Sequence, residues 1–130
     1  MSPPLGPYSP ARRVGDWVIT SGQVGLATDD CGGPALVEGG TVAQLRQALT
    51  NVAAVLRGEG ATLRDVVKTT LYLVDISEFA AVNEVWVEYF TENRPTRSAV
   101  AVVALPAGAR VEVEAWAYVP EPAPAGVPDR

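Results

Sequence analysis

The sequence predicts an α+β domain in which two helices pack on one face of a mixed β-sheet. Three observations predict it. Two apolar stripes recur at helical spacing, each behind a capping signal. Four other stretches are rich in β-branched residues and read as strands. Their order is strand, long loop, helix, strand, helix, strand, strand, which segregates the helices to one side of a sheet. The 130 residues fit a single domain. A chain of this size buries roughly two-thirds of its unfolded surface and folds without staples.

Taken in order, Trp17 to Thr20 is a short strand that runs into Ser21-Gly22-Gln23. Residues 27–40 carry Gly and Asp and read as a surface loop. Thr41 opens the first helix with a Thr41-x-x-Gln44 capping box. Val42, Leu45, Leu49, Val52 and Leu56 follow on one stripe, and Gly58 and Gly60 stop it. Residues 65–74 form a strand. Asp75-Ile-Ser-Glu78 signals the second helix, whose stripe of Phe79, Val82, Val85, Trp86, Tyr89 and Phe90 is read as core. Pro95 ends this unit. Ser98 to Leu105 and Val111 to Val119 are two further strands, taken as a hairpin around Pro106-Ala107-Gly108. The prolines at 3, 4, 7 and 10 and at 120, 122, 124 and 128 loosen both ends. A single domain over 1–119 and a dispensable tail over 120–130 are expected.

Two helices cover one face of a sheet. The other face carries either Glu112, Glu114, Trp116 and Tyr118, or Val111, Val113, Ala115, Ala117 and Val119, depending on register. Either set is too apolar to stay wet, so a symmetric homo-oligomer is expected.

Composition narrows the chemistry. Net charge is −5, with ten cations dispersed along the chain, which argues against nucleic acid and anionic membranes as partners. Histidine is absent, which removes Ser-His-Asp and Cys-His constellations and imidazole zinc sites. The lone Cys31 excludes an intrachain disulfide and a thiolate cluster. Its neighbours Asp29 and Asp30 disfavour a reactive thiolate, so it reads as incidental. Imidazole and thiolate metal sites are therefore not expected. The sequence has no 20-residue apolar run and no signal-like N-terminus, and a reducing cytoplasm is the expected location.

Arg97 begins a strand of small residues, Ser98, Ala99 and Ala101. Its planar fork suits a bidentate carboxylate, or else a surface ion pair. Glu112 and Glu114 share a strand face, as a base beside a second carboxylate or as a solvated edge. Asn83 lies on the apolar stripe of helix two and needs a partner. Tyr8 is a large aromatic in a stretch without regular structure, and Ser21 follows a strand end.

In sequence order stand Gly6-Pro-Tyr-Ser9, Ser21-Gly22-Gln23, Gln44 with Asn51 and Leu56, Asp65-Val-Val-Lys68-Thr69, Asp75 with Phe79, Val82-Asn83-Glu84, Tyr89-Phe90, Pro95-Thr-Arg97-Ser98, Leu105-Pro106 and Val111-Glu112-Val113-Glu114-Ala115. The set resembles the Rid family of reactive-intermediate deaminases, also called the YjgF family, from about Gly6 to Ala117. The resemblance implies a chorismate-mutase-like α+β fold and a homotrimer whose sheets form a central barrel. It implies cofactor-free hydrolysis of small 2-imino and enamine acids to 2-keto acids and ammonia, in clefts between subunits. The carboxylate-binding arginine then falls on Arg97 and the acidic residue that orients water on Glu112. The substrate-binding positions fall on Tyr8, Ser21, Asn83, Arg97 and Ala99, the last through its backbone. Ala99 stands where many members have Cys, Ser9-Pro10 replaces Ser-Gln, and the connection from Phe90 to Pro95 is short. The alternative is a trimeric module that senses keto acids or amino acids without turnover. RNA cleavage, a third reading, is opposed by the net charge, the single lysine and the missing histidine. With the assumed hairpin, Glu112 lies opposite residue 103, about 20 Å along the strands from Arg97. One small substrate would then take the two residues from different chains.

Overall fold

The computed structural model describes residues 4–120, so the part of the expected tail over 121–130 lies outside the described residues. The strands are β1 (Ala11–Val14), β2 (Trp17–Thr20), β3 (Gln23–Val24), β4 (Leu26–Thr28), β5 (Pro34–Leu36), β6 (Val66–Leu73), β7 (Thr96–Ala101) and β8 (Val111–Tyr118). The helices are α1 (Gly40–Arg57) and α2 (Phe79–Tyr89). Six strands form one mixed sheet in the order β1-β2-β8-β6-β7, with β3 also on β8. β4 and β5 make a separate antiparallel pair.

That pair lies within residues 27–40, expected as a plain loop. The Asp29 carboxylate accepts from the backbone N–H groups of Cys31 and Gly33 and closes the turn between its strands. An Asx turn of this kind needs no apolar periodicity, so the pattern missed it. Cys31 is exposed in the turn.

α1 begins one residue before Thr41, but the capping box is not formed. No side chain caps its N-terminus. Thr41 Oγ1 accepts from Arg110 Nε at 2.9 Å, and Gln44 Oε1 accepts from the Arg110 backbone N–H at 2.8 Å. Tertiary partners on the approach to β8 have taken both side chains. The expected stripe holds: Leu45, Leu49, Val52 and Leu56 are fully buried. Asp75 caps a short 3-10 turn before α2 by accepting from Ser77 N–H, while Glu78 pairs with Arg110 at 2.5 Å instead of capping. In α2, Val82, Val85 and Trp86 are buried and Phe90 closes behind them. Phe79 is 37% exposed and is not core.

The expected hairpin is not there. β6 lies between β7 and β8, parallel to β7 and antiparallel to β8. Parallel neighbours need a crossover, and α2 supplies it between β6 and β7. The strand also ends at Ala101 rather than Leu105, beyond which Val103 is fully exposed.

Register fixes the two faces. Val111, Val113, Ala115 and Ala117 of β8 and Thr69, Leu71 and Leu73 of β6 lie beneath the helices, nearly all without solvent exposure. Glu112, Glu114, Trp116 and Tyr118 therefore occupy the open face. Trp17 packs edge-on against Trp116 and Tyr118 there, at centroid distances of 6.0 and 5.1 Å. The three rings remain about 40% exposed, an uncovered aromatic patch.

Candidate active site

Arg97 is level with the buried Thr69 across the parallel β6–β7 pair, so it points to the helix side of the sheet. There its Nη2 donates to Asn83 Oδ1 at 2.8 Å. Its guanidinium carbon lies 5.1 Å from the Phe79 ring and 4.9 Å from the Trp86 ring. Burial lowers its pKa from the ordinary arginine value, but a guanidinium stays charged. Asn83 thus meets the need for a partner that its place on the stripe implied, and it orients the arginine. Ala99, two residues on, faces the same side and packs against the core. Its small side chain leaves space beside Arg97.

Glu112 is level with Tyr72 on β6 and points to the opposite face. Its position depends on a bulge. Ile19 pairs with Trp116 and Gln23 with Val113, so four steps on the β2–β3 edge match three on β8. The extra residue falls in Thr20-Ser21-Gly22. Thr20 Oγ1 accepts from the Ala115 N–H at 3.0 Å and satisfies a buried donor beside the bulge. Gly22 is thereby pressed onto the carboxylate: a Cβ there would lie 2.7 Å from Glu112 Cδ. Asn51 on α1 holds the next segment by donating to the carbonyls of Val24 and Leu26. Gly25 lets that segment touch α1, since a Cβ would meet the Gln44 backbone at 2.6 Å.

Burial, and after it the charge of Glu114, raises the Glu112 carboxyl above the usual range. Glu114 in turn accepts from the Tyr72 hydroxyl at 2.9 Å, and that bond raises the phenol. Tyr8, Gly22 and Glu112 line a cavity of about 40 Å³ with Leu5, Pro10 and Pro106, enough to admit water. Ser21 borders Tyr8 on the other side, but its hydroxyl donates to the Ser9 carbonyl at 2.6 Å. It straps the Tyr8 segment to the bulge. Among the described residues no three His, Cys, Asp or Glu side chains converge as a metal site would require.

The expected residues therefore fall into two groups. Arg97, Asn83 and Ala99 lie on the helix side, and Tyr8, Ser21 and Glu112 gather around the bulge. Arg97 and Glu112 are three residues apart along the strands and two strands apart across them, about 14 Å between backbones. This replaces the 20 Å of the assumed hairpin. The larger barrier is the sheet itself, since the two side chains leave it in opposite directions. Sequence reasoning passed over Gly22, Asn51 and Phe79 as parts of these two groups. Only the bare Ser21-Gly22-Gln23 pattern pointed near Gly22 and the Glu112 group.

Residues 1–119 match the family model described as Endoribonuclease L-PSP. The 2-iminobutanoate/2-iminopropanoate deaminase of Capra hircus is 45% identical over 113 residues, 87% of this chain and 80% of that one. A RutC family protein of Pyrococcus abyssi is 43% identical over 115 residues, 88% of each chain. The crystal structure of RidA from an Antarctic Psychrobacter superposes with a TM-score of 0.83 at 42% identity, covering 91% of this chain and 93% of that one. With that match along nearly its whole length, and with two helices on one face of a chorismate-mutase-like mixed sheet, the chain belongs to the Rid/YjgF family.

Proposed function

We propose that the chain hydrolyses small 2-imino and enamine acids to 2-keto acids and ammonia, in clefts between the subunits of a homotrimer in the cytoplasm. The observation that carries this reading is the split site: an oriented, desolvated arginine on one face of the sheet and a half-buried carboxylate on the other. On this reading neither half is complete alone, and a second copy supplies what each lacks. The uncovered Trp17, Trp116 and Tyr118 supply an apolar surface for such an assembly. Relatives 43–45% identical bear the name 2-iminobutanoate/2-iminopropanoate deaminase, which supports the choice of substrate.

Arg97 binds the substrate carboxylate in a planar fork and so places C2 of the imine. Glu112, as the carboxylate, takes a proton from a water in the Tyr8–Gly22 cavity; the water oxygen bonds to C2 as the C=N π pair moves to nitrogen, and the Glu112 carboxylic acid returns its proton to that nitrogen. In the carbinolamine the hydroxyl proton passes by way of Glu112 to the amine nitrogen, the C–N bond breaks as C=O forms, and ammonia leaves. The imine hydrolyses in water unaided, so orientation and one general base, about 10²–10⁴-fold for the proton transfer, suffice. The endoribonuclease of the family description fits this chain poorly, with no histidine, one lysine and a net charge of −5.

The test generates imines in situ from several amino acids and follows ammonia or keto-acid release. Release well above the enzyme-free rate is expected, from particles three times the 13.7 kDa chain in light scattering. Keto-acid binding with no acceleration would convert the reading to that of a sensing module.

A further inference from the structure

Phe79 and Trp86 belong to a stripe read from the sequence as core, yet both rings meet Arg97. Phe79, Asn83 and Trp86 stand at i, i+4 and i+7 on α2, one face of two turns. Seven residues of helix rise about 10.5 Å. The guanidinium carbon is 5.1 Å from one ring and 4.9 Å from the other, about equally close to both. Asn83, between the rings, takes one N–H at 2.8 Å. Among the described residues the other guanidinium N–H groups have no hydrogen-bond partner. Trp86 is itself fixed, 5% exposed and packed on Phe90 at 4.8 Å between centroids. Phe79, 37% exposed, is the outer ring.

We propose that Phe79 and Trp86 are positioning residues that hold the Arg97 guanidinium between two aromatic rings and present its free N–H edge to a planar carboxylate. The inference rests on the site reading above and adds to it. Aromatic rings attract the cation without consuming its in-plane donors, so they fix the fork and leave it available. A carboxylate partner would fix it equally well but would occupy the same donors and neutralise the charge. The arrangement therefore favours a ligand that supplies its own negative charge in a flat, two-oxygen group. It disfavours an amide or ester of the same acid.

The experiment measures 2-oxobutanoate binding by calorimetry and imine turnover in the full chain. Phe79→Leu is expected to weaken binding roughly threefold and Trp86→Leu roughly tenfold, the range of exposed and desolvated cation–π contacts. KM should rise more than kcat falls. Phe79→Tyr and Trp86→Phe keep a ring and should stay within about twofold of the wild type. Trp86→Leu also opens the core, so the half-exposed Phe79 pair decides the matter. If Arg97→Ala abolishes binding while Phe79→Leu binds as tightly as the wild type, the clamp is wrong and the site reading stands. If Phe79→Tyr fails as badly as Phe79→Leu, a ring face is not what matters and the clamp is wrong. If Arg97→Ala binds and turns over like the wild type, both readings fall.

Discussion

The Arg97 half and the Glu112 half hold single charged groups by different means. Arg97 is held by side chains: one amide and two rings from a single helix face. Glu112 is held by backbone, a bulge and a glycine pressed against its carboxylate, with the like charge of Glu114 nearby. Each environment suits the task proposed for it. An arginine that binds must keep its donors free, and rings leave them free. A carboxylate that acts as base must be raised toward the working pH, and burial beside Glu114 raises it. Side-chain positioning tolerates change in proportion to the group lost, whereas backbone positioning fails when a single methyl is added.

The largest effect expected from breaking the comparison is at the binding half. Arg97→Ala and Arg97→Lys should each lower kcat/KM about 100-fold or more with the assembly intact, because lysine keeps the charge and loses the fork. Near-normal rates in Arg97→Lys would show that charge alone suffices. At the other half, Glu112→Gln should cost about 10²–10⁴-fold in kcat. If the halves come from different chains, inactive Arg97→Ala and Glu112→Gln proteins, unfolded and refolded together, regain part of the activity. Mixed assemblies that demonstrably form and stay inactive would place both halves in one chain.

Gly22→Ala sharpens the backbone side. The new methyl would displace the Glu112 carboxylate, a flexible end that can move aside, so the melting temperature should shift little. kcat should nonetheless fall roughly 10- to 100-fold, since small misplacements of a reacting group are costly. A loss of fold without a specific loss of rate would reverse this assignment. The smallest effect is a shift of pH profile. Glu112 must be ionised to act, so activity falls as pH falls through its raised value. Removing the Glu114 charge in Glu114→Gln should move that acid limb to lower pH. The same raised pKa has a sign for stability. The folded chain holds the Glu112 proton more tightly than the unfolded one, so this group's contribution declines as pH rises through the interval between the two values. An acid limb unchanged in Glu114→Gln would mean the limb belongs to another group.

The binding half was the more legible in the sequence. Arg97 and Asn83 stand in short local patterns, a strand start and a helix stripe, which mark them as candidates without fixing the face on which Arg97 emerges. Phe79 was misread because an aromatic on an apolar stripe has the same spacing whether it faces core or a cation. The Glu112 half depends on pairing between segments some ninety residues apart. Ser21-Gly22-Gln23 marked the place, but neither the bulge nor the contact of Gly22 with Glu112 has a periodic signature.

By itself the sequence determined both helices, the four principal strands and their order, the absence of histidine and the charged groups available, because composition and 3.6- or 2-residue periodicity are local properties. Only the tertiary structure decided that β6 separates β7 from β8, and with it the faces on which Arg97 and Glu112 emerge. A hairpin and a helix crossover satisfy the same strand patterns. The choice between them comes from burying one continuous apolar layer beneath both helices, a quantity that no local stretch of sequence contains.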